Sequence, residues 1–126
     1  MSRVVHFEIS AKDPQKVIPF YENVLGWAFH KWEGPMEYWL VHTGDASQPG
    51  IDGGLSRPSD QLSGTVNTVD VDNLDEALAK VGQNGGKVIA DKHAVPGVGW
   101  LAYCQDPEGT VFGMMQEDPK AGMPGS

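Results

Sequence analysis

The chain has 126 residues, enough for one domain with a buried core and short for two. Seventeen acidic residues against nine Lys and Arg give a formal net charge of −8, which argues against nucleic acid or an anionic membrane as partner, since both need basic patches. A single cysteine, Cys104, excludes an internal disulfide framework and a multi-cysteine zinc site, and no apolar run approaches the roughly 20 residues of a membrane span.

The first pattern is VVHFEI, Val4 to Ile9, an apolar alternation that reads as a strand. Strand side chains alternate faces, so His6 and Glu8 point together while Val5, Phe7 and Ile9 point away. That pair is open to three readings: half of a metal site, an acid–base pair, or a buried ion pair without chemistry. Asp13-Pro14 then reads as an N-cap with proline at the first helical position. Val17, Phe20, Tyr21, Val24 and Leu25 recur at helical spacing, and Gly26 supplies the stop. Pro19, inside the pattern, is expected to kink this helix or delay its regular start.

Strand patterns follow over Trp27 to Trp32, Met36 to His42 and, glycine-rich, Ile51 to Leu55. In the second, Tyr38, Leu40 and His42 share one face and Glu37, Trp39 and Val41 the other; the sequence leaves open which one faces a helix. Ser56 to Gly64, SRPSDQLSG, reads as a linker. Thr65 to Val71 is another strand. Asn73 with Glu76 makes a capping box for a helix whose apolar stripe is Leu74, Ala77, Leu78 and Val81, ending at Gly85-Gly86. Lys87 to Ala90, Gly99 to Gln105 and Thr110 to Gln116 complete the strands, and a DPEG turn at Asp106 precedes the last. Asp91 to Gly99 reads as a loop beside Trp100 and Tyr103, a place where ligand choice is commonly set. The tail from Ala121 to Ser126 is read as flexible.

Gly26 and Gly86, sixty apart, each end a helix; Asp13 and Asn73, also sixty apart, each begin one. The chain is therefore a repeat of two strand–helix–three-strand units. The expected fold is α+β: two βαβββ units, about 3–55 and 65–117, related by a pseudo-two-fold and forming a curved sheet cleft or barrel. The two sheets are expected to be antiparallel, each with a helix on its outer face.

VVHFEI, DPQKVIPFYENVLGW, VDVDNLDEALAKVGQNGGKV and GVGWLAYCQDPEGTVFGMMQ, in this order and spacing, resemble the vicinal oxygen chelate superfamily of glyoxalases, bleomycin-resistance proteins and extradiol dioxygenases. The resemblance runs from Arg3 to Glu117. It implies metal ligands on the first and last strands of each unit, and these positions fall here on His6, Gly53, Val66 and Gly113. Only the first bears a donor side chain, whereas a transition metal wants three or four ligands. No metal and no cofactor are therefore expected.

The favoured function is binding of a small organic molecule in the cleft, with His6, Glu8, Tyr38, His42, Trp100 and Tyr103 as candidate ligand contacts. The acidic balance would suit a cationic ligand. The alternative is a lyase, isomerase or dioxygenase of the same superfamily, either metal-free through Glu8 as base and His6 as acid or metal-dependent. Cys104, among apolar residues, reads as an inert thiol. A cytoplasmic homodimer without nucleic-acid or membrane partners completes the expectation.

Overall fold

The structure, a computed structural model, describes residues 1–34, 36–60 and 62–123. Its elements run β1 (Val4–Ser10), α1 (Pro14–Leu25), β2 (Ala28–Lys31), β3 (Trp39–His42), β4 (Gly53–Ser56), β5 (Thr65–Asp70), α2 (Leu74–Gln83), β6 (Lys87–Val95), β7 (Gly99–Gln105) and β8 (Val111–Glu117). This is the repeated strand–helix–three-strand order, and the α+β class holds. The chain divides into two compact units, Val5–Val66 and Met1–Val4 with the chain from Asn67 onward. They are called the N-terminal and C-terminal units below.

In the N-terminal unit the strand order is β2-β3-β4-β1, and in the C-terminal unit β5-β8-β7-β6. The sheets are mixed rather than antiparallel. β1 runs parallel to β4, with Phe7 opposite Gly53, and β5 runs parallel to β8, with Thr68 opposite Gly113. Direction counting explains this. The helix returns the chain to the starting end, so the second and fourth strands run the way the first did, and pairing first with fourth is parallel.

In the N-terminal unit the core is Ala11, Trp39, Val41 and Leu55, with Phe7, Ile9, Val17, Ile18, Trp27 and Phe29 packed against it. Of the apolar recurrence read in α1, Phe20, Val24 and Leu25 are more than half exposed, and Val17 and Ile18 do the packing. The helix passes through Pro19 within its assigned length, and the Asp13 side chain makes no capping hydrogen bond. Gly26 ends α1 as expected, at a φ of 73° that suits glycine, its N–H bonding to the Glu22 carbonyl at 3.0 Å.

The C-terminal unit matches its pattern more closely. Leu74 is fully buried among Ala102, Cys104 and Met114, and Ala77, Leu78 and Val81 pack beside them. Asn73 Oδ1 accepts the Glu76 N–H at 3.0 Å, the first half of the capping box. Two expectations are corrected. β6 runs on to Val95, so most of the expected loop is strand, and only Pro96-Gly97-Val98 turns the chain into β7. Ala121, expected to begin a loose tail, is fully buried, and its carbonyl accepts the Gly97 N–H at 3.0 Å. Residues 124–126 of that tail, and Gln61 of the expected linker, lie outside the described residues.

Candidate functional site

The packing of α1 decides which face of its sheet is left for chemistry. Phe7 and Ile9 of β1 turn towards the helix, so His6 and Glu8 turn away. Trp39 and Val41 of β3 are buried on the helix side, which assigns Tyr38, Leu40 and His42 to the other face. Phe29 likewise leaves His30 of β2 on that face, opposite Leu40. In β4 a β-carbon on Gly53 would meet the Phe7 ring at 2.6 Å, so position 53 points towards the helix and Asp52 and Gly54 point away. Four strands and the residues flanking them thus deliver the polar set to one surface. The question left open by alternation alone is answered by the core.

On that surface His6 Nε2 lies 3.2 Å from the Tyr38 hydroxyl and 3.9 Å from Glu8 Oε1. The His6 side chain is 32% exposed and that of Glu8 17%, which gives a half-buried cluster open on one side. Burial lowers the His6 pKa from its ordinary 6.5, and the charge of Asp52 opposes that shift. Burial, and then the charge of Glu8, raise the Tyr38 phenol well above its ordinary range. Near neutral pH the cluster therefore presents an uncharged imidazole and an intact phenol. Both can exchange hydrogen bonds without carrying charge.

A second pair sits at the end of the β3–β4 hairpin. His42 Nδ1 lies 3.2 Å from Asp52 Oδ2, and Asp52 Oδ1 accepts the Thr43 N–H at 2.9 Å. The Thr43 N–H bond, with help from His42, keeps Asp52 below the usual carboxylate range, and the small desolvation cost opposes it. An ionised carboxylate only accepts, so Asp52 fixes His42 with its proton on Nδ1. His6, His30, Leu40, His42 and Asp52 line a recess of about 560 Å³, open to solvent. A recess of similar size beside α2 is lined by Val71, Ala77, Val81 and Phe112 and holds no imidazole.

Of the residues singled out from the sequence, His6, Glu8, Tyr38 and His42 thus share one surface of the N-terminal unit. Trp100 and Tyr103 belong to the C-terminal unit and lie on opposite faces of β7. Trp100 packs with the α2 core, donates Nε1–H to Asp118 at 3.1 Å, and has Lys92 Nζ 5.2 Å from its ring centroid. Tyr103 faces away from α2 and is almost fully buried. Cys104 is fully buried against α2, and burial raises its thiol pKa, as suits an inert group. His30 and Asp52 were missed. Asp52 lies in a weak glycine-rich stretch, and only the hairpin register brings it to His42.

The implied metal positions need one correction. Thr68 pairs with Gly113 in the C-terminal unit, and the matching Glu8 pairs with Gly54. The last-strand position in the N-terminal unit is therefore Gly54; Gly53 points to the helix. A β-carbon at Gly54 would coincide with the Tyr38 hydroxyl. Among the described residues no three His, Cys, Asp or Glu side chains are placed to hold one ion. The donors around His6 do not fit the metal that the family implies.

The family model of the Glyoxalase/Bleomycin resistance protein/Dioxygenase superfamily matches residues 3–114. The chain belongs to this superfamily. It is 30% identical over 119 residues to a protein named "Putative glyoxylase CFP32" from Mycobacterium bovis, and equally to its counterpart from Mycobacterium tuberculosis. The match takes in 90% of this chain but 43% of theirs, so the chain spans less than half the length of these curated relatives. Among solved structures, a hypothetical protein from Bacillus halodurans superposes with a TM-score of 0.68 at 18% identity, covering 95% of this chain and 97% of the other. The methylmalonyl-CoA epimerase of Mycobacterium tuberculosis gives 0.67 at 16%, covering 92% and 88%. That of Streptomyces coelicolor, in complex with 2-nitronate-propionyl-CoA, gives 0.67 at 16%, covering 94% and 96%. These structural likenesses establish the superfamily's fold for this chain.

The lowered His6 pKa gives a pH test. On unfolding, His6 returns to about 6.5 and binds a proton that the folded state resists, so stability is highest above that pH and falls as pH drops through it. Urea melts at about pH 7.5 and about pH 5.5 are expected to differ more for the wild type than for His6→Gln; equal differences would show that His6 is not held neutral by the fold.

Proposed function

We propose that this superfamily member binds a small organic molecule in the recess of its N-terminal unit, without a complete metal site. One observation carries the reading: an uncharged His6, hydrogen-bonded to Tyr38, lines a recess edged by Leu40, His42 and the ionised Asp52. An apolar wall with a few convergent polar groups is what small-molecule sites generally offer. The ligand is neutral or cationic and carries a hydrogen-bonding group for His6 and Tyr38. Glu8 and Asp52 beside the pair, and the net charge of −8, disfavour an anion.

The test is a thermal-shift and calorimetric screen of cationic aromatic, neutral and anionic compounds against wild type and His6→Ala. A cationic or neutral compound at about 100 times its Kd should stabilise the wild type by about 2.7 kcal/mol. His6→Ala should lose at least about tenfold in affinity for that compound. No stabilisation by any cationic or neutral compound, or equal affinity in the variant, would end the proposal.

A second reading is metal-free catalysis, in which Glu8 removes a proton from an acidic C–H and His6 or Tyr38 holds the substrate oxygen. It is favoured by the 3.9 Å approach of Glu8 to His6 and by the fold shared with epimerases whose structures carry acyl-CoA ligands. Glu8→Gln should then lower turnover of a responsive substrate by at least about 100-fold while the circular dichroism spectrum is unchanged; retained turnover removes this reading.

The same proposal takes the protein as a cytoplasmic homodimer. Among the described residues β2 of the N-terminal unit pairs only with β3 and β6 of the C-terminal unit only with β7, which leaves each an edge that a second copy would cover. Sedimentation velocity at micromolar concentration should give about twice the 13.6 kDa chain mass; a monomer there counts against it.

A further inference from the structure

In each unit the fourth strand carries a glycine on the face turned away from the helix, and in each a tyrosine side chain lies over it. In the N-terminal unit the glycine is Gly54. A β-carbon there would fall on the Tyr38 hydroxyl, with the ring Cε2 at 2.9 Å. In the C-terminal unit it is Gly113, paired across the ladder with Tyr103. A β-carbon there would stand 3.2 Å from the Tyr103 ring and 2.9 Å from Thr68 Oγ1. The two tyrosines come from different places, one just before β3 and one within β7. The same arrangement has therefore been reached in both units from non-equivalent residues.

We infer that Tyr38 closes the N-terminal unit to divalent cations: its ring fills the room that a ligand side chain at position 54 would need, and its hydroxyl holds His6 Nε2 in a hydrogen bond. Nε2 is the imidazole nitrogen nearest to Glu8, so it is the one an ion shared by these two residues would use. To bind there, an ion would have to break the 3.2 Å hydrogen bond and move the ring off Gly54. Glycine at position 54 and tyrosine at position 38 thus form a matched pair. Neither substitution by itself would rebuild a full donor set.

This inference goes beyond the ligand reading and does not depend on it, since a metal titration reports only whether His6 is open. The full chain, stripped with chelator, is titrated with Ni²⁺ and with Zn²⁺ by calorimetry, and folding is followed by circular dichroism. Wild type and His6→Ala should give the same isotherm. The double variant Tyr38→Ala/Gly54→Glu should take up one ion with affinity at least about tenfold above wild type, and adding His6→Ala should abolish the gain. Uptake by the wild type that is lost in His6→Ala would overturn the inference, as would a folded double variant no tighter than wild type. If Gly54→Glu prevents folding, Tyr38→Ala alone decides. With Gly54 kept, a His6-dependent gain of about threefold or more supports the closure, and no gain refutes it.

Discussion

A strand packed against a helix has one face for the core and one for everything else, and the site follows from that constraint. Trp39, Val41, Leu55, Phe7 and Ile9 are large and apolar and must lie under α1. Their alternation leaves His6, Glu8, Leu40, His42, Asp52 and Gly54 no alternative to the opposite surface. A slip of one residue in any of these strands would turn apolar side chains outward and polar ones into the core. The energy that holds the polar cluster in place is therefore the burial of residues that take no part in it. Burial of one face is worth on the order of 25 cal/mol per Å² of apolar surface, well above what the exposed hydrogen bonds on the other face contribute.

On the polar face, burial shapes the chemistry more than charge pairing does. The His6 pKa is lowered because removal of the ring from water outweighs the opposing charge of Asp52. Tyr38 is affected in the opposite direction on the pKa scale with the same result, an uncharged group. Asp52 stays ionised because the Thr43 N–H and His42 both donate to it at an exposed position. One small surface thus combines the neutral His6–Tyr38 pair, with Glu8 beside it, at its sheltered end and the ionised Asp52 at its open end. That combination of neutral hydrogen-bonding groups and negative charge is the main physical argument for the ligand chemistry proposed.

The two units are built alike but put their pattern to different uses. In the C-terminal unit the face away from α2 carries Thr68, Leu101 and Tyr103, all buried, and its one imidazole among the described residues, His93, stacks on Tyr103 at 6.5 Å between ring centroids. In the N-terminal unit the matching face carries His6 and a recess. Duplication fixes the backbone of both, and the polar content was free to diverge because packing under the helix does not depend on it. Superfamily membership accordingly establishes the fold and leaves the activity to the particular residues.

Element order, both helices, the glycine stop of α1 and the α2 capping residue could be read in the chain because each rests on local chemistry: proline, glycine, a side-chain cap, an apolar period. So could the shared face of His6 and Glu8, since alternation along one strand needs no partner. Strand pairing could not, and this is why the sheets were expected to be antiparallel and the metal position was set at Gly53 in place of Gly54. A register is a relation between two segments, and nothing within either one states it. His42 meeting Asp52, and Tyr38 reaching over Gly54 to His6, exist only once β3, β4 and β1 lie side by side. The sequence alone determined which residues could do chemistry, and tertiary packing decided which of them meet.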